Sequence, residues 1–267
     1  MAYSAVVLDL DGTLLTSEKQ VSDRSKRVIL RLHQQGMQII FATARPPRAV
    51  KQFLPQELLE AGLFVYYNGA LTICKQYGIE SHESMAASDC AELIDFCLLH
   101  NPDVELGVEV RDEWFSLKEI DYTVRMNVKG NPVVRTLDEL RRCEATKVLL
   151  TGAVPYEELH RNFGSKFNIL HTDRGELIQI SSLKASKEAA VSNLCGLLDI
   201  SMDDVIAFGD DINDYGLFQQ CGWPVAMENA IDELKAIARE VTASNDKDGV
   251  ALILERYLLE QVPVNEE

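Results

Sequence analysis

Ala5-Val6-Val7-Leu8-Asp9-Leu10-Asp11-Gly12-Thr13 is the stretch on which the reading of this chain turns. Its first four residues make a short apolar run with no helical period, which predicts a fully buried strand of a parallel sheet. Gly12 then permits a sharp turn at the strand's carboxyl end, where α/β sheets keep their chemistry. If the strand simply continued, Asp9 and Asp11 would point to opposite faces. A loop beginning at Asp9 can instead turn both carboxylates toward one pocket. Their repulsion there is relieved by a cation, a shared proton or nearby amides. One such carboxylate can act as a nucleophile and the other can pass protons. The structural alternative is a turn built from Asp and Gly, with Thr13 capping something local. The other strand ends decide between the two.

Working outward, Ser22 to Gln35 reads as a helix with Val28, Ile29 and Leu32 on its buried face, Ser22 and Asp23 as caps and Gly36 as the stop. A second strand, Met37 to Ala42, ends at Thr43-Ala44-Arg45 before Pro46-Pro47. A helix over about Arg48 to Leu59 leads to a third strand, Leu63 to Tyr67, which stops at Asn68-Gly69. This alternation predicts a right-handed parallel sheet. The pattern then changes. A hairpin turning at Tyr77-Gly78, a helix over Ala86 to Leu99, and strands at Val104 to Val110, Trp114 to Leu117, Thr146 to Leu150, Phe167 to Thr172 and Glu176 to Ser181 predict an inserted α+β domain. Beyond it come helix Ser186 to Leu198, strand Val205 to Phe208 ending in Gly209-Asp210-Asp211-Ile212-Asn213-Asp214, helix Asp214 to Gln220, strand Trp223 to Ala226, helix Asn229 to Arg239, strand Glu240 to Thr242 and helix Gly249 to Glu260. The expected fold is α/β: a Rossmann-like parallel-sheet core from residues 1–82 and 182–267, with an α+β cap domain inserted at 83–181.

The chain has 267 residues, enough for cores of this size without disulfide staples. Its formal net charge of -16 gives an averaged field that repels nucleic acids and anionic membranes. A local cation site can still accept a small phosphorylated molecule within the screening length. Cys74, Cys90, Cys97, Cys143, Cys195 and Cys221 form no C-x-x-C pair and no zinc spacing. They are expected as free thiols in a reducing, cytoplasmic setting. No basic region followed by a long apolar stretch precedes the first strand and no apolar run approaches about 18 residues, so neither a signal sequence nor a membrane span is expected.

Four predicted strand ends therefore carry polar residues along one sheet edge: Asp9 with Asp11, Thr43, Asn68, and Asp210 with Asn213 and Asp214. Asp9, Asp210 and Asp214 supply the hard oxygen donors that magnesium prefers, while no His or Cys stands ready for a transition metal. Thr43 offers a hydroxyl, and the start of the next helix offers free amides for a phosphate. Lys184 and Lys187 lie at the start of the helix that returns the chain to the core.

On these residues the chain resembles the haloacid dehalogenase superfamily of phosphotransferases, and within it the Cof-like phosphatases with a large cap between the second and third motifs. Asp9 to Thr13 match the first motif, Thr43 the second, Lys187 the third and Gly209 to Asp214 the fourth; the spacing to Asp210 favours Lys187 over Lys184. Asn68-Gly69 and Ser244-Asn245-Asp246-Lys247-Asp248-Gly249-Val250 also look typical of the subfamily. The resemblance implies that Asp9 attacks phosphorus and that Asp11 serves as acid and then base. It implies Mg2+ at Asp9, the Asp11 carbonyl, Asp210 and Asp214, with Thr43, Ala44, Arg45, Asn68, Gly69, Lys187 and Asn213 around the phosphate or substrate. Asn213 and Asp214 would also orient Lys187. Four positions depart from the pattern: Ala44 where Gly is common, Lys184 and Glu188 where Gly flanks the lysine, and Gln179 where Glu is frequent. The implied substrate is a small phosphorylated metabolite, a sugar phosphate or a cofactor such as pyridoxal phosphate or flavin mononucleotide, and the protein a monomer or small homo-oligomer. Arg174 and the Trp114 to Lys118 stretch are the candidates for leaving-group contacts. A phosphomutase and a non-catalytic binder of phosphorylated ligands remain as alternatives.

Overall fold

The computed structural model describes residues 3–119, 121, 130–172 and 177–260. In chain order, β1 is Ala5–Leu8, α1 Asp23–Gln34, β2 Gln38–Ala42, α2 Pro47–Phe53, α3 Gln56–Ala61 and β3 Gly62–Tyr66. Strands β4 (Leu71–Cys74) and β5 (Ile79–His82) follow, then α4 (Ala87–His100), β6 (Glu105–Val110), β7 (Glu113–Ser116), β8 (Val133–Val134), α5 (Leu137–Leu140), β9 (Lys147–Thr151), α6 (Tyr156–Phe163), β10 (Phe167–Thr172) and β11 (Leu177–Ser182). The chain returns through α7 (Lys187–Leu197), β12 (Val205–Gly209), α8 (Tyr215–Gln220), β13 (Trp223–Ala226), α9 (Asp232–Ile237), β14 (Glu240–Val241) and α10 (Gly249–Glu260).

These elements form two units: one of Met1–Arg45, Val50–Glu80 and Ser186–Glu267, the other of Pro46–Ala49 and Ser81–Ala185. The first holds an eight-stranded sheet in the order β14-β13-β12-β1-β2-β3-β4-β5. It is parallel from β14 to β3, and β4 joins β3 antiparallel. Every residue of β1 is buried, as expected of a central parallel strand covered on both faces. The order reverses at β1, which pairs with β2 on one side and β12 on the other. Such switch points open a crevice at the carboxyl ends of the strands. Helix α1 begins where the Ser22 hydroxyl accepts the Ser25 amide hydrogen at 3.0 Å, buries Val28, Ile29 and Leu32, and packs on α10.

Two helices differ from expectation. The helix expected over Arg48 to Leu59 is interrupted at Leu54-Pro55: Pro55 is extended (ψ 148°) and heads α3, because the residue before a proline is kept out of the helical region. The helix expected from Asn229 starts only at Asp232. The backbone before it is drawn to neighbouring strand ends instead, with Met227 N–H donating to the Gly209 carbonyl at 3.1 Å and Ile231 N–H to the Asp210 carbonyl at 3.0 Å.

The second unit is built on a six-stranded sheet, β10-β11-β9-β6-β7-β8. Leu106, Val108, Phe115, Val148, Leu150, Ile178 and Ile180 share one apolar core with Leu93, Ile94 and Cys97 of α4 and Leu159 and Phe163 of α6. By the strand alternation, Glu109, Trp114, Lys147 and Gln179 belong to the other face. There Lys147 Nζ donates to Gln179 Oε1 at 2.9 Å, and Arg48 pairs with Glu109 at 2.7 Å.

Candidate active site

The Asp9 loop departs from β1 with Asp9 N–H still donating to the Phe208 carbonyl of β12 at 3.2 Å, so the two strand ends stay side by side. Gly12 completes the turn at φ +80°, and a Cβ there would stand 2.1 Å from Asp210 Oδ2. No other residue fits this approach. Thr13, which the alternative turn reading would make a local cap, donates its hydroxyl to Asp210 Oδ1 at 2.7 Å. Carboxylate oxygens of Asp9, Asp210 and Asp214 all lie within 4.8 Å of one another.

Lys187, the first residue of α7, enters this cluster fully buried. Its Nζ stands 2.6 Å from Asp9 Oδ1 and 2.7 Å from Asp214 Oδ1. Ser186 starts the helix by accepting the Ala189 amide hydrogen, which points Lys187 inward. Lys184 is exposed and lies in the other unit. The second oxygen of Asp214 accepts the Asp210 and Asp211 amide hydrogens at 3.1 and 3.4 Å. Asp214 is thus held by its own loop and in turn holds Lys187.

Burial pushes the Asp9 carboxyl well above the usual carboxylate range, against the pull of Lys187 and with further push from Asp214 and Asp210. Burial likewise raises Asp210 to about 6, although the Thr13 hydrogen bond opposes it. Burial disfavours the charged form of Lys187, but Asp214 and Asp9 overcome this and raise its pKa. Of the three carboxylates, Asp9 and Asp214 pair with the one ammonium and Asp210 has the Thr13 hydroxyl. A hard dication fits such a donor set, since it supplies the missing positive charge to oxygen ligands. Asn213 adds a buried Oδ1 with no hydrogen-bond partner among the described residues, its Nδ2 donating to Asn68 Oδ1 at 3.1 Å.

Asp11 stands apart from this trio. Arg45 grips its carboxylate through two nitrogens, Nη2 at 2.7 Å from Oδ1, and Lys19 Nζ lies 2.7 Å from the same oxygen. Burial raises the Asp11 carboxyl, but the Arg45 and Lys19 hydrogen bonds outweigh it and leave the pKa below its ordinary value. Arg45, expected at the phosphate, is therefore occupied by Asp11, and its guanidinium also lies 4.4 Å from the Phe53 ring centroid. Thr43, buried at the end of β2, accepts the Arg45 amide hydrogen at 3.1 Å and keeps its own hydroxyl hydrogen to donate. Ala44 lies between them in the same turn. Asn68 adopts φ 53° and donates its backbone N–H to the Thr43 carbonyl at 2.9 Å, while Gly69 packs against the Ser186 backbone.

Sequence reasoning passed over Lys19, Asn229, Asn245 and Asp246, which reach the same loop. Asn229 Nδ2 donates to the Gly12 carbonyl at 2.8 Å. Only the resemblance of residues 244–250 to the subfamily singled out part of this group. Among the candidates for leaving-group contact, Arg174 lies outside the described residues. Trp114 sits 5.2 Å from the Arg48 guanidinium, and the Ser116 hydroxyl donates to the Lys118 carbonyl at 2.7 Å. Among the described residues no helix is long and apolar enough to cross a membrane.

The family model of the haloacid dehalogenase-like hydrolases matches residues 6–254. The 5-amino-6-(5-phospho-D-ribitylamino)uracil phosphatase YitU of Bacillus subtilis is 28% identical over 262 residues, spanning 94% of this chain and 96% of its own. A haloacid dehalogenase-like hydrolase from Bacteroides thetaiotaomicron superposes with a TM-score of 0.82 at 26% identity, covering 96% of this chain and 99% of that one. A subclass IIB sugar phosphatase of the same superfamily superposes with a TM-score of 0.77 at 18% identity, covering 96% and 99%. The chain belongs to the haloacid dehalogenase-like hydrolases and is a phosphatase of that family.

Proposed function

We propose that the protein hydrolyses the phosphomonoester of a small polyhydroxylated metabolite through a phosphoryl-Asp9 intermediate. The observation that carries this reading is the meeting of Asp9, Asp210, Asp214 and the buried Lys187 at the ends of β1 and β12. Asp9 attacks phosphorus while Asp11 gives a proton to the departing oxygen; Asp11 then takes a proton from the water that cleaves the acyl phosphate. Lys187, the Thr43 hydroxyl and the amides of the Thr43 to Arg45 turn hold the phosphoryl oxygens, over which charge spreads in the transition state. Asn68, Gly69 and Asn213 line the same strand ends.

Mg2+ fits the donor set. Asp9, Asp210 and the Asp11 backbone carbonyl would hold it, with Asp214 completing the acidic group mainly through Lys187. Its charge would offset the repulsion between carboxylate and phosphate. Residues 83–181 would act as the cap that reads the leaving group, with Glu109, Trp114, Lys147 and Gln179 on its polar sheet face.

Sugar phosphates are the first class to test, in line with the sugar phosphatase of like fold. A phosphorylated ribityl chain is a second, favoured by the name of the Bacillus subtilis relative. The experiment measures phosphate release from sugar phosphates, a phosphoribitylamino-pyrimidine, pyridoxal phosphate and flavin mononucleotide, with magnesium and with chelator, beside Asp9→Asn. Magnesium-dependent release that the variant lacks is expected. Turnover by Asp9→Asn near the wild-type rate would overturn the reading, and movement of the phosphoryl group between sugar positions would reassign the chain as a mutase.

A further inference from the structure

We infer that Asn229, Asn245 and Asp246 form a strap that positions the Asp11 carboxylate for proton transfer, an inference resting on the reading of Asp11 as the acid. The strap grips one short segment at three points. Asn229 Nδ2 donates to the Gly12 carbonyl at 2.8 Å, Asn245 Nδ2 to the Leu15 carbonyl at 2.8 Å, and Asp246 Oδ1 accepts the Ser17 amide hydrogen at 2.7 Å. Asn229 Oδ1 also accepts the Asn245 amide hydrogen at 3.1 Å, joining the grips to one another. Residues 12–17 come from the start of the chain and the strap from its last quarter, so none of these bonds arises from local chain geometry.

The gripped segment opens a small hairpin. Leu15 bridges to Asp11 on one side and to Val21 on the other, Thr16 N–H donates to the Gln20 carbonyl at 2.9 Å, and Lys19 N–H to the Thr16 carbonyl at 2.8 Å. Lys19 sits at the tip with φ 60°, a left-handed conformation that side chains other than Gly, Asn and Asp rarely adopt. From there its Nζ returns to Asp11. An ion pair between half-exposed groups is too weak to hold a hairpin in place. The hairpin must place Lys19, and the strap must place the hairpin.

The strap is itself a built turn. Asp248 has φ 57°, Gly249 N–H donates to the Ser244 carbonyl at 3.2 Å, and Thr242 Oγ1 donates to the Gly249 carbonyl at 2.7 Å. A Cβ on Gly249 would stand 2.0 Å from the Ala243 carbonyl oxygen. The run Ser244 to Gly249 thus has a geometric reason for its Asn, its Asp and its Gly.

The test separates acid positioning from general support by the leaving group. An alkyl phosphate needs its departing oxygen protonated, whereas p-nitrophenyl phosphate does not. With magnesium present, Asp246→Ala is expected to lose at least tenfold in kcat/KM, which reads only the steps up to departure of the leaving group, on a primary alkyl phosphate and less than threefold on p-nitrophenyl phosphate. Asp246→Asn, which keeps an acceptor for the Ser17 amide, should restore both. Asn245→Ala provides a second variant, with the same selective loss, should Asp246→Ala not fold. Equal losses on both substrates, or none on either, would overturn the inference. Asp11→Asn run alongside tests the underlying reading: if its kcat/KM falls equally on both, Asp11 is not the acid and that reading fails independently of the strap.

Discussion

Lys187 carries the most concentrated burden of any single residue: it is fully buried and serves two carboxylates at once. Removing one partner of a buried ion group leaves the others uncompensated, at a cost of ~3–5 kcal/mol. Lys187→Met should therefore lower unfolding free energy by about that amount in denaturant titrations, besides abolishing turnover. Asp9→Asn should do the opposite to stability. Burial and the neighbouring acids already disfavour the ionised Asp9, so a neutral isostere should raise the metal-free Tm by about 2–4 °C while ending catalysis. Asp210 sets a pH signature. Its folded pKa of about 6 lies above the unfolded value near 3.8, so the folded state holds the proton more tightly. Stability is then gained as pH falls from 7 to 5, by about 1 kcal/mol relative to Asp210→Asn in chelator. Equal pH dependence of the two proteins, followed by thermal melts, would contradict this. The meeting of Asp9, Asp210 and Lys187 was legible because each sits at a strand end or helix start, and parallel sheets gather such ends. The capture of Arg45 by Asp11 was not, because motif spacing says which residues are near and not which cation each carboxylate takes.

At the scale of elements, the buried strands β1, β2, β3 and β12 were legible because short apolar runs between helix patterns have few other solutions. The misjudged helices have specific causes. Pro55 splits one, and at Asn229 the backbone finds partners on β12 that compete with a first helical turn. Strand β8 and helix α5, a pair and a single turn, carry too few residues for periodicity to register. The turn before α10 offers a direct check on packing. Gly249→Ala would press a methyl onto the Ala243 carbonyl, and overpacking of this kind costs ~1–3 kcal/mol. A chemical-denaturation midpoint unchanged by Gly249→Ala would refute the close approach.

At the scale of the whole molecule, a net charge of -16 coexists with a site proposed to take an anion. The general field slows phosphorylated ligands, and the local cations, Lys187 together with the proposed Mg2+, would have to reverse it over a few ångströms. Binding a dication to the folded state alone also stabilises it, by ~2.7 kcal/mol at a hundredfold excess over Kd. Millimolar magnesium should accordingly raise Tm in wild type, and less so in Asp210→Asn; equal shifts in the two would remove Asp210 from the metal site. The hydrogen bonds from residues 229–246 to residues 12–17 were not legible, since bonds between distant loops leave no periodicity.

The most direct measurement is a rapid acid quench during turnover with magnesium, followed by mass spectrometry of the peptide containing Ala5 to Thr13. The account requires a transient phosphoryl group on Asp9 that forms and decays at rates compatible with turnover and is absent from Asp9→Asn. Full turnover with no phosphoryl group on that peptide, together with activity surviving in Asp9→Asn, would contradict it.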